Sequence, residues 1–146
     1  MKVLVLTRYG RLGSSSRYRF YQYRPYLERQ GMEFDIAPLL GDDYIPKIYS
    51  GRKVAAVDLL LRFWQRLLRL LQHHCYDLVW VEKEIFPYLP LWIERLWADS
   101  RVPYIVDYDD AAYHTYGLHS SSLVRLILGN KIDGVMREAK VVVAGN

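Results

Sequence analysis

Five short runs rich in apolar and β-branched residues recur along the chain, and each of them predicts a buried β-strand. The runs lie at residues 3–6, 33–37, 78–81, 104–106 and 141–143. Stretches with helical periodicity separate them, and this alternation is typical of a parallel sheet with helices on both faces. We therefore predict an α/β fold, a three-layer Rossmann-like domain with a parallel sheet of about five strands.

One-sided apolar patterns between the strands predict the helices. A first helix begins near Arg17, and Pro25 predicts a kink or a restart in it, because proline removes a helical hydrogen bond. Further helices are predicted over about residues 52–74, 88–99 and 120–138. Residues 38–51 are rich in glycine, aspartate and proline, so we predict a loop there.

The helix predicted over about residues 52–74 has two distinct sides. Its broad apolar face consists of Val57, Leu60, Leu61, Trp64, Leu67, Leu68 and Leu71. Arg62, Arg66 and Arg69 lie on the opposite stripe. The pattern fits a core-packed helix with a solvated basic side, and it also fits an interfacial helix that holds the protein on a membrane through these arginines.

Composition limits the class of protein without selecting a ligand. The 146 residues are 51% hydrophobic and 25% charged, which indicates one globular domain. The formal net charge of +4 fits anionic ligands, phosphorylated substrates or an acidic membrane surface. Cys75 is the single cysteine, and no run approaches the roughly 20 apolar residues of a membrane span, so we expect a cytoplasmic protein. Nucleic-acid binding is not expected, because the positive charge comes with no recognisable motif.

Three carboxylates follow the strand predicted at residues 104–106, namely Asp107, Asp109 and Asp110. Because an unpaired buried carboxylate is costly, we expect them at the carboxyl end of that strand, the edge where open α/β sheets bind ligands. They could bind a divalent cation with a nucleotide, hydrogen-bond sugar hydroxyls, or pair with backbone groups and nearby arginines. Asp107, which is nearest the buried strand, is the one expected to be structural.

The segment after the first strand contains Gly10, Gly13 and a run of three serines ahead of a predicted helix. Its backbone N–H groups and its arginines suit a phosphate or another anion, although a tight turn with solvated arginines explains the same residues. The glycine spacing does not match the dinucleotide fingerprint. If the strands follow the usual doubly wound order, the first and fourth strands are neighbours and this loop faces the loop after Asp107.

Four histidines occur in the sequence, and two of them follow the carboxylates. His114 and His119 are plausible contacts at the site, although a loop histidine is more often simply exposed. His73 and His74 precede Cys75 without the spacing of a metal site, and we interpret them as a helix end.

Short motifs in a fixed order make the chain resemble the N-terminal domain of a GT-B glycosyltransferase of the group 1, family 4 type. They are residues 15–19 after the first strand, 76–79 at the third, Lys83-Glu84 after it, 106–111 after the fourth, and 143–146 at the end. The resemblance implies one half of a two-domain retaining enzyme that uses a nucleotide-sugar donor as co-substrate and acts in cell-envelope or polysaccharide synthesis. It also implies that the enzyme needs no metal and no bound cofactor.

The resemblance also implies site residues. His114 is the candidate catalytic residue, and the candidate substrate-binding residues are Gly13, Ser16, Arg17, Lys83, Glu84, Asp109, Asp110 and Asn146. The implied partners are a sugar or lipid-linked acceptor and a C-terminal donor-binding domain that residues 1–146 do not contain. We therefore expect this chain alone to be inactive, and we expect the protein to lie in the cytoplasm or peripherally on the inner face of the membrane.

The end of the sequence and the charge pattern keep other hypotheses open. Gly145 and Asn146 directly follow the last predicted strand, and asparagine is a strong helix N-cap, so we expect a continuing chain. The alternative function is a self-contained flavodoxin-like or Rossmann-like module that binds a phosphorylated small molecule or a protein partner. A third hypothesis is a peripheral membrane-binding domain that uses Arg62, Arg66 and Arg69.

Overall fold

The structure is a computed structural model that describes residues 1–98, 101–112 and 114–145. Within these residues five parallel strands form one sheet. The strands are β1 (Lys2–Leu6), β2 (Glu33–Ile36), β3 (Leu78–Glu82), β4 (Tyr104–Tyr108) and β5 (Val141–Ala144). The predicted α/β fold with a parallel sheet of five strands is thus confirmed, because every apolar run identified in the sequence forms a strand.

Helices connect consecutive strands. They are α1 (Ser14–Ser16), a π-helical turn (Arg17–Tyr21), α2 (Arg24–Arg29), α3 (Tyr44–Tyr49), α4 (Ala56–Leu71), a 3-10 turn (His73–Cys75), α5 (Leu91–Ala98), α6 (His114–Gly117), α7 (Ser122–Leu128) and α8 (Lys131–Glu138). Pro25 lies in the first turn of α2, so the predicted restart is present. The predicted loop 38–51 contains α3, and the helix predicted over 120–138 divides into α7 and α8.

The strand order is β2-β1-β3-β4-β5, so β3 lies between β1 and β4. The prediction that the first and fourth strands are neighbours was wrong, since it took the other common doubly wound order. The observed order is the flavodoxin-like one, in which the strand order reverses between β1 and β3. The crevice at the carboxyl ends of β1 and β3 is therefore where this topology places a ligand.

The two faces of the sheet are covered unequally by the described residues. One face packs against α4 to α8 in a large cluster that includes Leu70 of α4, Tyr116 of α6 and Val135 of α8. The other face packs against the segment of α1 and the π-helical turn, where Phe20 covers Val3 and Val5 of β1. Most of the hydrophobic core therefore lies under α4 to α8.

Helix α4 turns differently from the sequence-based expectation. Most of its predicted core face is exposed: Leu60 is 69% exposed, and Trp64 and Leu68 are exposed as well. Arg66, which was placed on the solvated stripe, is only 4% exposed. The prediction that this arginine stripe faces solvent or a membrane was wrong for Arg66, because its guanidinium group points to carbonyl oxygens at the sheet edge.

Candidate functional site

The loop between β1 and α1 is closed by a carboxylate of the chain itself. Glu82 ends β3 and is buried, and its Oε2 accepts hydrogen bonds from the Arg8 backbone N–H at 2.7 Å and from Ser16 Oγ at 2.6 Å. Ser15 Oγ donates to Glu82 Oε1. Glu82 thus takes one backbone N–H and two serine hydroxyl groups of this loop. It reaches the loop because β3 rather than β4 lies beside β1.

Gly13 and Ser16, two of the predicted substrate-binding residues, shape this loop. A Cβ at Gly13 would lie 2.3 Å from the Cβ of Tyr9, so no larger residue fits without a shift in the loop. Ser16 is buried, and its Oγ accepts a hydrogen bond from the Tyr9 N–H at 3.0 Å. Arg17, the third predicted residue here, is exposed and lies over the ring of Tyr18, 4.9 Å from its centroid.

An ion pair joins the first helical segment to the end of β4. Arg19 Nε donates to Asp107 Oδ1, and Asp107 is buried. Burial raises the pKa of the Asp107 carboxyl, although the pairing with Arg19 opposes this effect. Asp107 is thus buried and paired within the fold, as expected of a structural residue. Its ion pair connects the π-helical turn after β1 to the end of β4, although β3 lies between these two strands.

Lys83, Asp109 and Asp110 form an open network at the same edge. The Lys83 amine lies 2.9 Å from Asp109 Oδ1 and donates to Asp110 Oδ2 at 2.7 Å. The Asp110 side chain is 60% exposed and that of Lys83 is 15% exposed. Burial lowers the pKa of Lys83, but the two carboxylates outweigh it and the pKa is raised. Three predicted site residues are therefore brought together where a ligand could reach them.

The backbone of Lys83 adds a second unusual feature. Its φ is 65°, in the left-handed region that residues other than glycine rarely adopt. Such conformations cost about 1–3 kcal/mol and cluster at functional sites. The turn at Lys83 directs its amine to the β4 loop, while the next residue, Glu84, turns into the core.

Glu84 belongs to a buried network. Lys131 Nζ of α8 lies 2.6 Å from Glu84 Oε2 and 3.1 Å from Glu94 Oε1 of α5. Tyr116 OH donates to Glu84 Oε1 at 2.8 Å. Burial raises the pKa of Glu94, although Lys131 and the N–H groups of Ile85 and Phe86 oppose it. This predicted substrate-binding residue thus points away from solvent, and it ties α6 and α8 to the end of β3.

Lys131 and Glu94 were missed by the sequence analysis, and so was the role of Arg66. Arg66 donates to Ile85 O at 3.1 Å, to Ala37 O at 3.0 Å, and to Thr7 O. Burial lowers its pKa to about 10. No sequence pattern marks these three residues, since each is a charged residue in an ordinary amphipathic helix.

Arg8 is a cation at this edge whose guanidinium group has few partners within the described residues. It lies two residues after the end of β1, at the point where the strand order reverses, and its side chain is 26% exposed. Its nearest carboxylate oxygen among the described residues is Glu84 Oε1 at 3.9 Å, and its Nε is buried without a hydrogen-bond partner. Since Glu84 already pairs with Lys131, the Arg8 guanidinium keeps donors for another anion.

The histidines and the chain end complete the predicted set. His114 begins α6, is exposed, and donates its backbone N–H to Ala111 O at 3.0 Å. His119 Nδ1 accepts the Ser121 N–H at 3.1 Å, and its ring packs against Tyr88. Asn146 lies outside the described residues.

The described part of the chain contains neither a cluster of metal ligands nor a helix that could span a membrane. Within residues 1–98, 101–112 and 114–145, no group of three or more histidine, cysteine, aspartate or glutamate side chains could hold a metal ion. In the same ranges, no helix has the length and apolar character needed to cross a membrane.

Comparison with known proteins gives little sequence similarity. The chain matches no family model and no curated protein. Among solved structures it is similar to a protein from Klebsiella pneumoniae that is provisionally described as a quinone reductase. The identity is 15%, with 99% of this chain and 75% of the other covered and a TM-score of 0.41. A likeness at this level assigns no ligand and no activity to this chain.

These comparisons correct the resemblance drawn from the sequence. The solved structure that matches is described as a quinone reductase rather than a glycosyltransferase, and no family model supports the GT-B identification. The prediction that the chain is the N-terminal half of a group 1 glycosyltransferase was therefore wrong. Its motifs are short and lie at strand ends, where any α/β domain with this topology places polar residues. The Rossmann-like α/β module remains as the description of the chain.

Proposed function

We propose that this Rossmann-like module binds a phosphorylated small molecule at the carboxyl edge of β1, β3 and β4. The observation that carries the proposal is Arg8, a partly exposed guanidinium group at the strand-order reversal. Its buried Nε has no hydrogen-bond partner within the described residues. Arginine is well suited to phosphate, because its planar fork donates two parallel hydrogen bonds.

The open network of Lys83, Asp109 and Asp110 supplies the second part of the proposed site. Asp110 is exposed and can accept hydrogen bonds from hydroxyl or amino groups of a ligand, while the Lys83 amine bridges the carboxylates of Asp109 and Asp110. A phosphorylated molecule with polar groups on its other end would use both parts. Inorganic phosphate alone would use only Arg8, so we expect it to bind more weakly.

The acidic residues beside Arg8 do not cancel its charge. Glu82 is held by Arg8 N–H, Ser15 and Ser16, and Glu84 is held by Lys131 and Tyr116. Carboxylates that are buried and hydrogen-bonded in this way are compensated within the fold. The ligand anion would therefore meet a guanidinium group whose neighbouring carboxylates already have hydrogen-bond partners of their own.

The test is a titration of the isotope-labelled chain with pyrophosphate and with a nucleoside monophosphate, followed by NMR chemical shifts. We expect shifts at residues 8–17 and at Lys83, and a loss of affinity of about tenfold or more in Arg8→Met. The control is Arg29→Met, which removes an exposed arginine of α2. Shifts that persist unchanged in Arg8→Met, or no shift with either ligand, would overturn the proposal.

A further inference from the structure

The outer surface of α4 and α5 exposes eight large apolar side chains. They are Val57, Leu60, Leu61, Trp64, Leu68, Leu71, Trp92 and Leu96. We call this set the α4–α5 apolar surface. Single exposed apolar residues are ordinary on proteins, but a contiguous group with two tryptophans marks an interaction site.

The two helices form one continuous surface. A groove of about 250 Å³ runs between them, lined by Leu60 and Trp64 of α4 and by Ile93 and Trp97 of α5. Both helices pack on the same face of the sheet, since Leu70 of α4 lies in the core cluster against which Ile93 and Trp97 pack. Their exposed side chains therefore share the outer side of a single helical layer.

Positive charge borders this surface. Residues 47–75 contain six lysines and arginines and one acidic residue. Of these cations Arg66 is buried, and Lys47, Arg62 and Arg69 pair with aspartates of neighbouring segments. Arg52 and Lys53, just before α4, are exposed, and the structure gives neither of them an ion pair within the described residues. The apolar surface thus adjoins two free cations at the start of α4.

The free cations beside the α4–α5 apolar surface indicate which kind of partner it binds. A second copy of the chain would bring its own Arg52 and Lys53 to the same interface, and like charges across an interface oppose association. A phospholipid surface with anionic headgroups supplies the opposite charge along with an apolar layer. Helix α4 has 16 residues, so its apolar side is about 24 Å long and can lie along a bilayer interface.

We propose that the α4–α5 apolar surface binds peripherally to an anionic phospholipid bilayer. Leucine and tryptophan side chains enter the boundary between headgroups and acyl chains, while Arg52 and Lys53 meet lipid phosphates. This differs from a membrane contact through Arg62, Arg66 and Arg69, since Arg66 is buried and Arg62 pairs with Asp43. The surface contains none of the residues of the Arg8 site, so the two proposals can fail separately.

Vesicle co-sedimentation of the full chain tests this proposal. The vesicles are phosphatidylcholine alone or phosphatidylcholine mixed with phosphatidylglycerol. We expect binding to the mixed vesicles that weakens with added salt, and a loss of about tenfold or more in the double variant Leu61→Glu, Leu68→Glu. The control is Leu123→Glu, Leu126→Glu on α7, whose leucines are also exposed.

Each outcome decides the question, provided that circular dichroism shows both variants folded. Binding by the control but not by the α4 variant supports the proposal. Equal binding or equal loss in the two variants overturns it, and so does a wild type that ignores anionic vesicles. A dimer in light scattering that the α4 substitutions dissociate, without any vesicle binding, would assign the surface to a second copy instead.

Discussion

Two ionic networks begin at adjacent residues after β3 and reach opposite environments. Lys83 turns outward to Asp109 and Asp110, whereas Glu84 turns inward to Lys131 and, through it, to Glu94. Both contain one lysine and two carboxylates at contact distances of 2.6–3.1 Å. They differ in exposure, because the Lys131 side chain is inaccessible to solvent and Asp110 is mostly exposed.

This difference shows why similar residues serve different purposes. In the buried network every charge has lost its water, so each partner must be present to compensate the others. In the open network water screens the charges, so the ion pairs contribute little to stability and can be exchanged for contacts with a ligand. Burial therefore assigns the inner network to stability and leaves the outer one available for binding.

The largest effect is expected from the inner network. Lys131→Met leaves Glu84 and Glu94 buried without their shared cation, and we expect a loss of about 3–5 kcal/mol in the free energy of unfolding. Urea denaturation measures it, with Lys140→Met, at an exposed position, as the control. If the two variants were equally stable, the inner network would not be the structural one.

A smaller but still large effect is expected at the other buried cation. Arg66→Met removes hydrogen bonds to three carbonyl oxygens at the ends of β1, β2 and β3, and we expect a loss of about 2–4 kcal/mol. Arg69→Met, one turn away and about half exposed, should cost less than about 1 kcal/mol. Equal costs in urea denaturation would contradict the burial of Arg66.

The smallest effect on stability is expected in the open network, where it should depend on pH. Burial raises the pKa of Asp109, but Lys83 and Ser15 outweigh it and the pKa lies below its ordinary 3.8, while the pKa of Lys83 lies above its ordinary 10.5. The pair therefore stabilises the fold fully between these two values. Its contribution is lost as pH falls through the lowered pKa of Asp109 or rises through the raised pKa of Lys83.

We expect Lys83→Met to cost less than about 1 kcal/mol near neutral pH and to approach wild-type stability in acid. Carbon-detected NMR should show the pKa of Asp109 rising in this variant. Lys53→Met, at an exposed position before α4, is the control and should leave that pKa unchanged. A loss of stability as large as that of Lys131→Met would remove the distinction between the two networks.

Much of the fold could be predicted from local pattern. The apolar runs that form β1, β3 and β4 were recognisable because a strand buried on both faces needs a short continuous apolar segment. The restart at Pro25 was predictable because proline lacks a backbone N–H. The division between α7 and α8 at Gly129 and Asn130 was not, since the apolar pattern continues across the break.

The candidate site was predictable in location but not in arrangement. Lys83, Asp109 and Asp110 follow predicted strands, and parallel strands bring their carboxyl ends to one edge. That Glu82 would fill the β1 loop depended on the order of the strands, which the local sequence does not encode. The exposure of Leu60 and Trp64 on α4 could not be predicted either, because an amphipathic pattern predicts that the apolar side of a helix packs on the sheet.

The sequence by itself determined the elements and the class of fold, because strand and helix formation depend on the spacing of apolar residues along a few turns of chain. Only the tertiary structure decided that Lys83 pairs with Asp109 and Asp110 at the open edge while Glu84 pairs with Lys131 in the core, and that Arg66 is buried. These arrangements depend on contacts between residues far apart in the chain. They also depend on the free-energy cost of burying a charge that has no partner of opposite charge.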